Sequence, residues 1–111
     1  MTEDYEHMFV KCTRVQDYLK YAKEIVKSQF KIENIAFDMR LLIFGYKVGR
    51  KEYNFLNQFI VLVFFNIYKT WCAAEHKRVE LLKNIDKNLH YELRLRACIS
   101  RNPLWIALSE Y

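Results

Sequence analysis

The run from Tyr53 to Trp71, YNFLNQFIVLVFFNIYKTW, constrains this chain more than any other stretch. It is uncharged between Glu52 and Lys69, and Phe55, Leu56, Phe59, Ile60, Val63, Phe64, Ile67 and Trp71 recur at three- and four-residue steps. That is helix spacing. Fully burying each such side chain is worth roughly 1.5–3 kcal/mol, so this segment alone can drive the formation of a core. A membrane span is the competing reading, but a span needs about 20 apolar residues, and Asn54, Asn57, Gln58 and Asn66 interrupt this one. A buried helix of a small domain fits better. Asn54, Gln58, Asn66, Lys69 and Thr70 are then expected along its one wet edge.

The flanking segments supply partners for that helix. Tyr5, Met8, Cys12, Val15, Leu19, Ala22 and Val26 step three and four alternately and predict a helix over 4–29, with Thr2 as its cap and Glu3 and Asp4 complementing its dipole. Residues 31–46 are apolar without clear period; a short helix is expected there, with a strand as the alternative. Gly45 and Gly49 bracket the strongest turn signal and are expected at positive φ. After Trp71, Ala73, Ala74, Val79, Leu82, Ile85, Leu89, Leu93 and Ala97 predict a third amphipathic helix, or a bent extension of the second. Pro103 stops it, and residues 104–108 form an apolar tail that docks back on the bundle. With 52% hydrophobic residues, two glycines and one proline, there is little material for hairpins. The expected fold is a single all-α domain over 1–111, a small bundle of three main helices with a short apolar connecting segment and a docked C-terminal tail.

Charge and motifs bound the function. The net charge of +5 is concentrated late: residues 1–49 hold eight Lys/Arg against seven acids, residues 50–111 ten against six. Lys77, Arg78, Lys83, Lys87 and Arg94 lie mostly off the apolar stripe of the third helix, where they suit sequence-independent contact with phosphate. No glycine-rich phosphate loop, GxSxG, HExxH or clustered carboxylate set is present, so catalysis is not expected. Cys12, Cys72 and Cys98 are odd in number and show no CxxC spacing, which fits reduced thiols in the cytosol or nucleus. The start, MTEDYEH, is acidic and lacks an apolar run behind a basic one, so no signal or transit peptide is expected. His7 and Cys12 have the spacing of half a zinc knuckle, and Cys72 and His76 stand four apart. Neither pair completes a tetrahedron; no cofactor is expected, and zinc only if further ligands come from outside the chain.

The segments EHMFVKCTRVQDYLKYAKEIVK and RLLIFGYKVGRKEYNFLNQFIVLVFFNIYKTW, in that order, resemble the C-terminal region of non-LTR (LINE-type) retrotransposon reverse transcriptase polyproteins. Glu6, His7, Met8, Phe9 and Cys12 match the end of that family's zinc knuckle, so that residues 1–12 resemble a knuckle's last part. Val15 and Gln16 match the helix after it, and Ile43, Phe44 and Gly45 an apolar segment closing on Phe-Gly. Asn54, Leu56, Ile67, Tyr68 and Lys69 match the following hydrophobic helix, with Trp71 where arginine is common. The resemblance implies a helical module downstream of a polymerase that helps hold RNA or DNA, with His7 and Cys12 completing a site whose other two cysteines lie upstream. The chain starts midway through that knuckle, as a truncated relic would, and lacks the polymerase and endonuclease residues. Three functions are therefore expected in descending order: a non-catalytic module contacting RNA or DNA through Lys77, Arg78, Lys83, Lys87 and Arg94; a protein-interaction subunit of a larger assembly; and a single-pass membrane protein through 53–71. The sequence leaves the oligomeric state open.

Overall fold

The structure, a computed structural model, describes residues 9, 10, 12–100 and 102–110, with the backbone alone at Glu75. Among these residues there are six α-helices and no strand: α1 Thr13–Ile25, α2 Met39–Phe44, α3 Asn54–Cys72, α4 Glu75–Lys83, α5 Ile85–Ser100 and α6 Pro103–Ser109. The chain is the all-α bundle its periodicity dictates. α3 is the centre, burying Leu56, Phe59, Ile60, Leu62, Val63, Phe64 and Ile67. Around it pack Val15, Tyr18, Leu19, Ala22 and Ile25 of α1 and Ile85, Leu89 and Leu93 of α5.

Element boundaries follow local chemistry. α1 begins at Thr13, because Cys12 is extended, with φ −59° and ψ 131°, and interrupts the predicted helix; Phe9 and Val10 before it are π-helical, and residues 4–8 and 11 of the predicted first turns lie outside the described residues. It runs on as a π-helical turn over Val26–Phe30 and stops where Lys31 turns left-handed at φ 60°. Of the predicted short helix, only six residues form, since Asp38 Oδ1 accepts from the Leu41 N–H at 3.0 Å and caps the start. Ile35 and Phe37 reach the core from the extended stretch before that cap. A 3₁₀ turn over Lys51–Tyr53 leads into α3.

The predicted third helix is two. Asn84, at φ −113° and ψ 23°, closes α4, and its Nδ2 donates to the Glu80 carbonyl at 3.2 Å, an alternative to the helix ladder that asparagine side chains offer. Ala74 and Val79, placed by periodicity on the buried stripe, are exposed, so α4 covers the core with only half-buried residues such as Leu82. The tail docks as its composition predicts. Asn102 Oδ1 accepts from Leu104 N–H at 2.9 Å, Pro103 opens α6, and the Trp105 ring meets Phe55 edge-on with centroids 4.6 Å apart.

One expectation on α3 is reversed. Asn66 and Thr70, placed on a wet edge, are each 2% exposed. Asn66 Nδ2 donates to the Ile85 carbonyl at 3.1 Å and to the Tyr18 hydroxyl at 3.3 Å, and that hydroxyl donates to the Val63 carbonyl at 2.9 Å. Thr70 Oγ1 donates back to the Asn66 carbonyl at 2.9 Å. This polar bridge ties α1, α3 and the start of α5 at one point. Burial pushes the Tyr18 hydroxyl far above the ordinary tyrosine range, the Asn66 hydrogen bond opposing it, so Tyr18 stays protonated at any pH at which the protein is handled. No helix of the described residues is long and apolar enough to cross a membrane.

Candidate functional site: an open apolar groove on α3

α3 carries apolar residues on more faces than its neighbours cover. Val61, Phe65 and Tyr68, spaced four and three apart, form a second helical stripe that is 66%, 49% and 49% exposed. Across from it α2 presents Ile43 and Phe44, and the following turn presents Val48; Phe44 is 72% exposed. Single exposed apolar residues need no explanation, but six that converge do. They line a groove of about 550 Å³ whose floor includes the buried Ile60 and Phe64. A second trough of about 490 Å³ shares Val48, Asn57, Val61 and Phe65 with it and ends at Arg96 of α5, so the two are continuous.

The groove wall is set by its turn. Gly45 ends α2 at φ 73°, and Gly49 follows at φ 104°, both in the positive-φ region expected of them. Asn57 of α3 pins the turn: its Oδ1 accepts from Tyr46 N–H at 2.7 Å, and its Nδ2 donates to the Tyr46 carbonyl at 2.8 Å and the Tyr53 carbonyl at 3.0 Å. Tyr46 and Tyr53 meet edge-on at 5.0 Å, and Lys47 Nζ sits 5.4 and 5.5 Å from their two ring centroids. Val48 is thereby held over the groove.

The residues picked from sequence for phosphate contact are dispersed. Lys77 and Lys83 are exposed on α4, six residues apart and so on different faces of that helix. Lys87 and Arg94, seven apart on α5, are exposed along one stripe with Tyr91 between them. The break at Asn84 separates Lys83 from that stripe. Arg78 turns inward: its Nη2 donates to the Ala73 carbonyl at 3.1 Å and its guanidinium carbon lies 5.5 Å from the Trp71 ring, while its Nε is buried without a partner. It braces the α3–α4 corner.

The metal candidates fare likewise. Cys12 is half-buried beside the start of α1, and its partner His7 lies outside the described residues. Cys72 ends α3 and His76 belongs to α4, so the helix break at Ala73 and Ala74 removes the shared face on which pairing them depended. Among the described residues no group of three His, Cys, Asp or Glu is placed to hold a metal ion.

Asp86, at the first turn of α5, has its carboxyl pushed above the usual range by partial burial, and the Asp17 carboxylate of α1 adds to this. The folded state then holds that proton more tightly than the unfolded chain, so stability falls as pH rises from the ordinary carboxylate range through the raised value. Asp86→Asn is expected to raise the melting temperature at pH 7 by roughly 2 °C, the group being largely exposed, and to change nothing near pH 3, where both states are protonated. Thermal melts at the two pH values check this.

Fold and groove together define a small all-α protein with an open apolar groove on α3. Comparison with protein families, curated proteins and solved structures finds no match.

Proposed function

We propose that the chain is a non-catalytic protein-docking module that receives a segment of another protein in the groove between α2 and α3. The observation that supports this is the convergence of Ile43, Phe44, Val48, Val61, Phe65 and Tyr68, all exposed, on one concave surface. Apolar area of this kind costs solubility unless something covers it. Its rim is wet and its turn is rigidly pinned by Asn57, so the site stands ready before any partner arrives. A retrotransposon origin enters this proposal only as ancestry; docking stands on the groove.

Photo-crosslinking from position 65 tests it. A benzoylphenylalanine placed there is expected to yield one dominant protein adduct in cells, while the same group at Tyr91 on α5 yields none. The double variant Val61→Lys, Phe65→Lys, whose side chains are exposed, is expected to melt within about 1 kcal/mol of the parent and to lose binding of the purified partner. RNA or DNA adducts from position 91, with salt-steep binding lost in the variant Lys87→Gln, Arg94→Gln, would instead carry the nucleic-acid function expected from charge.

A further inference from the structure

Resting on the docking function, we infer that the groove's partner is an amphipathic α-helix whose apolar stripe is flanked by carboxylates. Three observations combine. The first is backbone chemistry. Among the described residues every edge facing the groove is helical or a pinned turn, and no strand is present, so a bound segment finds no ladder there for its own N–H and C=O groups. A segment lying in an apolar groove must then satisfy them internally, as a helix does. The stripe Val61, Phe65 and Tyr68 offers about two turns of α3 for such a helix to pack along, with the walls from Phe44 and Val48 receiving anchors spaced at i, i+3 or i+4, and i+7.

The second observation is charge. No carboxylate lines either part of the groove, and the one charged side chain that does is Arg96, at the far end of the second trough. Its guanidinium carbon lies 5.5 Å from the Trp105 ring, and it has no ion pair among the described residues. Glu92 is paired with Lys69 at 2.7 Å and Glu52 with Arg50 at 3.9 Å, and Asp38, which lines the hollow beyond Phe44 together with Arg40, accepts the Leu41 N–H at 3.0 Å. Away from Arg96, Arg40 is exposed on α2 and lines the adjoining hollow with Phe44, and Lys47 is exposed in the turn that carries Val48. A helix with Glu or Asp beside its apolar stripe would meet cations at both ends and would displace no existing pair.

The third is the exclusion of a second copy. In a two-fold contact the same surface meets itself, so groove-on-groove pairing would set Arg96 and Lys47 against their own rims in a chain of net charge +5. A lipid surface is disfavoured by shape, because the six residues line a concavity.

Two synthetic peptides on one helical template test this, both of about 16 residues with leucines at the anchor spacing, one flanked by glutamates and one by lysines. Fluorescence anisotropy with the full chain is expected to show the glutamate peptide binding at least tenfold tighter. Arg96→Glu is expected to reverse that ratio toward the lysine peptide, and Arg96→Gln to level it. Since Arg96 also stacks on Trp105, Lys47→Glu serves as the second variant and is expected to shift the ratio in the same direction. Equal binding of the two peptides, or a ratio that neither variant moves, overturns the acidic-helix partner. So does a dimer in sedimentation that Phe65→Lys dissolves, or binding to phosphatidylserine vesicles that the same variant abolishes. If neither peptide binds while position 65 still crosslinks one protein, docking stands and the helical partner fails; if both fail, docking fails with it.

Discussion

Asn66→Asp is expected to cost about 3–5 kcal/mol and to leave the protein partly unfolded at neutral pH, where a domain of this size has only about 5–15 kcal/mol to lose. The substitution changes one atom and almost no volume, so packing is not the cause. Asn66 Nδ2 stands between two acceptors, the Ile85 carbonyl and the oxygen of Tyr18, whose own proton is committed to the Val63 carbonyl. An ionised aspartate would turn a carboxylate oxygen toward both, in a site 2% exposed where Lys69, which lines the same cavity, is already paired with Glu92 at 2.7 Å. The carboxyl would answer by raising its pKa, and the sign of the pH dependence follows. The folded state would hold the proton more tightly than the unfolded chain, so part of the loss is recovered as pH falls toward 4, where one O–H can again donate. Asn66→Leu, close in shape and uncharged, is the control: it removes the amide's bonds to the Ile85 carbonyl and the Tyr18 hydroxyl and costs about 1–3 kcal/mol with no pH dependence. Urea titrations of both variants at pH 4.5 and 7 decide the matter. If the aspartate variant unfolds no more easily than the leucine one at pH 7, the bridge is not what fixes α1 and α5 to α3.

That bridge also marks how far the sequence could be read. Phe59, Ile60, Val63 and Ile67 announce the central helix because period alone requires it, and the stripe of Val15, Leu19 and Ala22 announces α1 in the same way. A helical wheel cannot tell a wet edge from a buried polar bridge. What buries Asn66 is the arrival of Tyr18 and the Ile85 carbonyl, 48 and 19 residues away in the chain. The groove was half visible. Val61, Phe65 and Tyr68 repeat the helix spacing on a second face, a sign that α3 is apolar over a wider arc than a thin bundle can cover. Which face stays open depends on α2 being only six residues long, and that length is fixed by the Asp38 cap and by Gly45, a detail that the unpatterned run 31–46 does not reveal. The basic residues are dispersed for a related reason. Lys83 and Lys87 are four apart and would share a face on one helix, but Asn84 divides them, and Arg78 is drawn inward by the Ala73 carbonyl at a corner that carries neither proline nor glycine.

Gly45→Ala is expected to cost about 2–4 kcal/mol and, unlike a core deletion, to take the groove with it. Two penalties add at this position. The backbone sits at φ 73° and ψ −172°, a region that residues with a Cβ rarely occupy. A Cβ there would also lie 2.7 Å from Val48 Cγ2 and 2.9 Å from Asn57 Oδ1, both too close to hold. The Asn57 oxygen cannot retreat freely, because it accepts the Tyr46 N–H while its Nδ2 holds the carbonyls of Tyr46 and Tyr53. Relief must come from breaking that clasp, which frees the turn, or from moving Val48, which opens the wall. Gly49 isolates the two penalties, since it has φ 104° but nothing within 4 Å of the point where a Cβ would sit; Gly49→Ala should show backbone strain alone, about 1–2 kcal/mol, with the groove intact. Hydrogen exchange at the Tyr46 amide reads the clasp directly, and anisotropy with the glutamate-flanked peptide reads the wall. Lost protection and lost affinity in Gly45→Ala, with both retained in Gly49→Ala, would tie docking to the shape of this turn. Affinity retained in Gly45→Ala would mean that Val61, Phe65 and Tyr68 suffice by themselves and that the Val48 wall is dispensable.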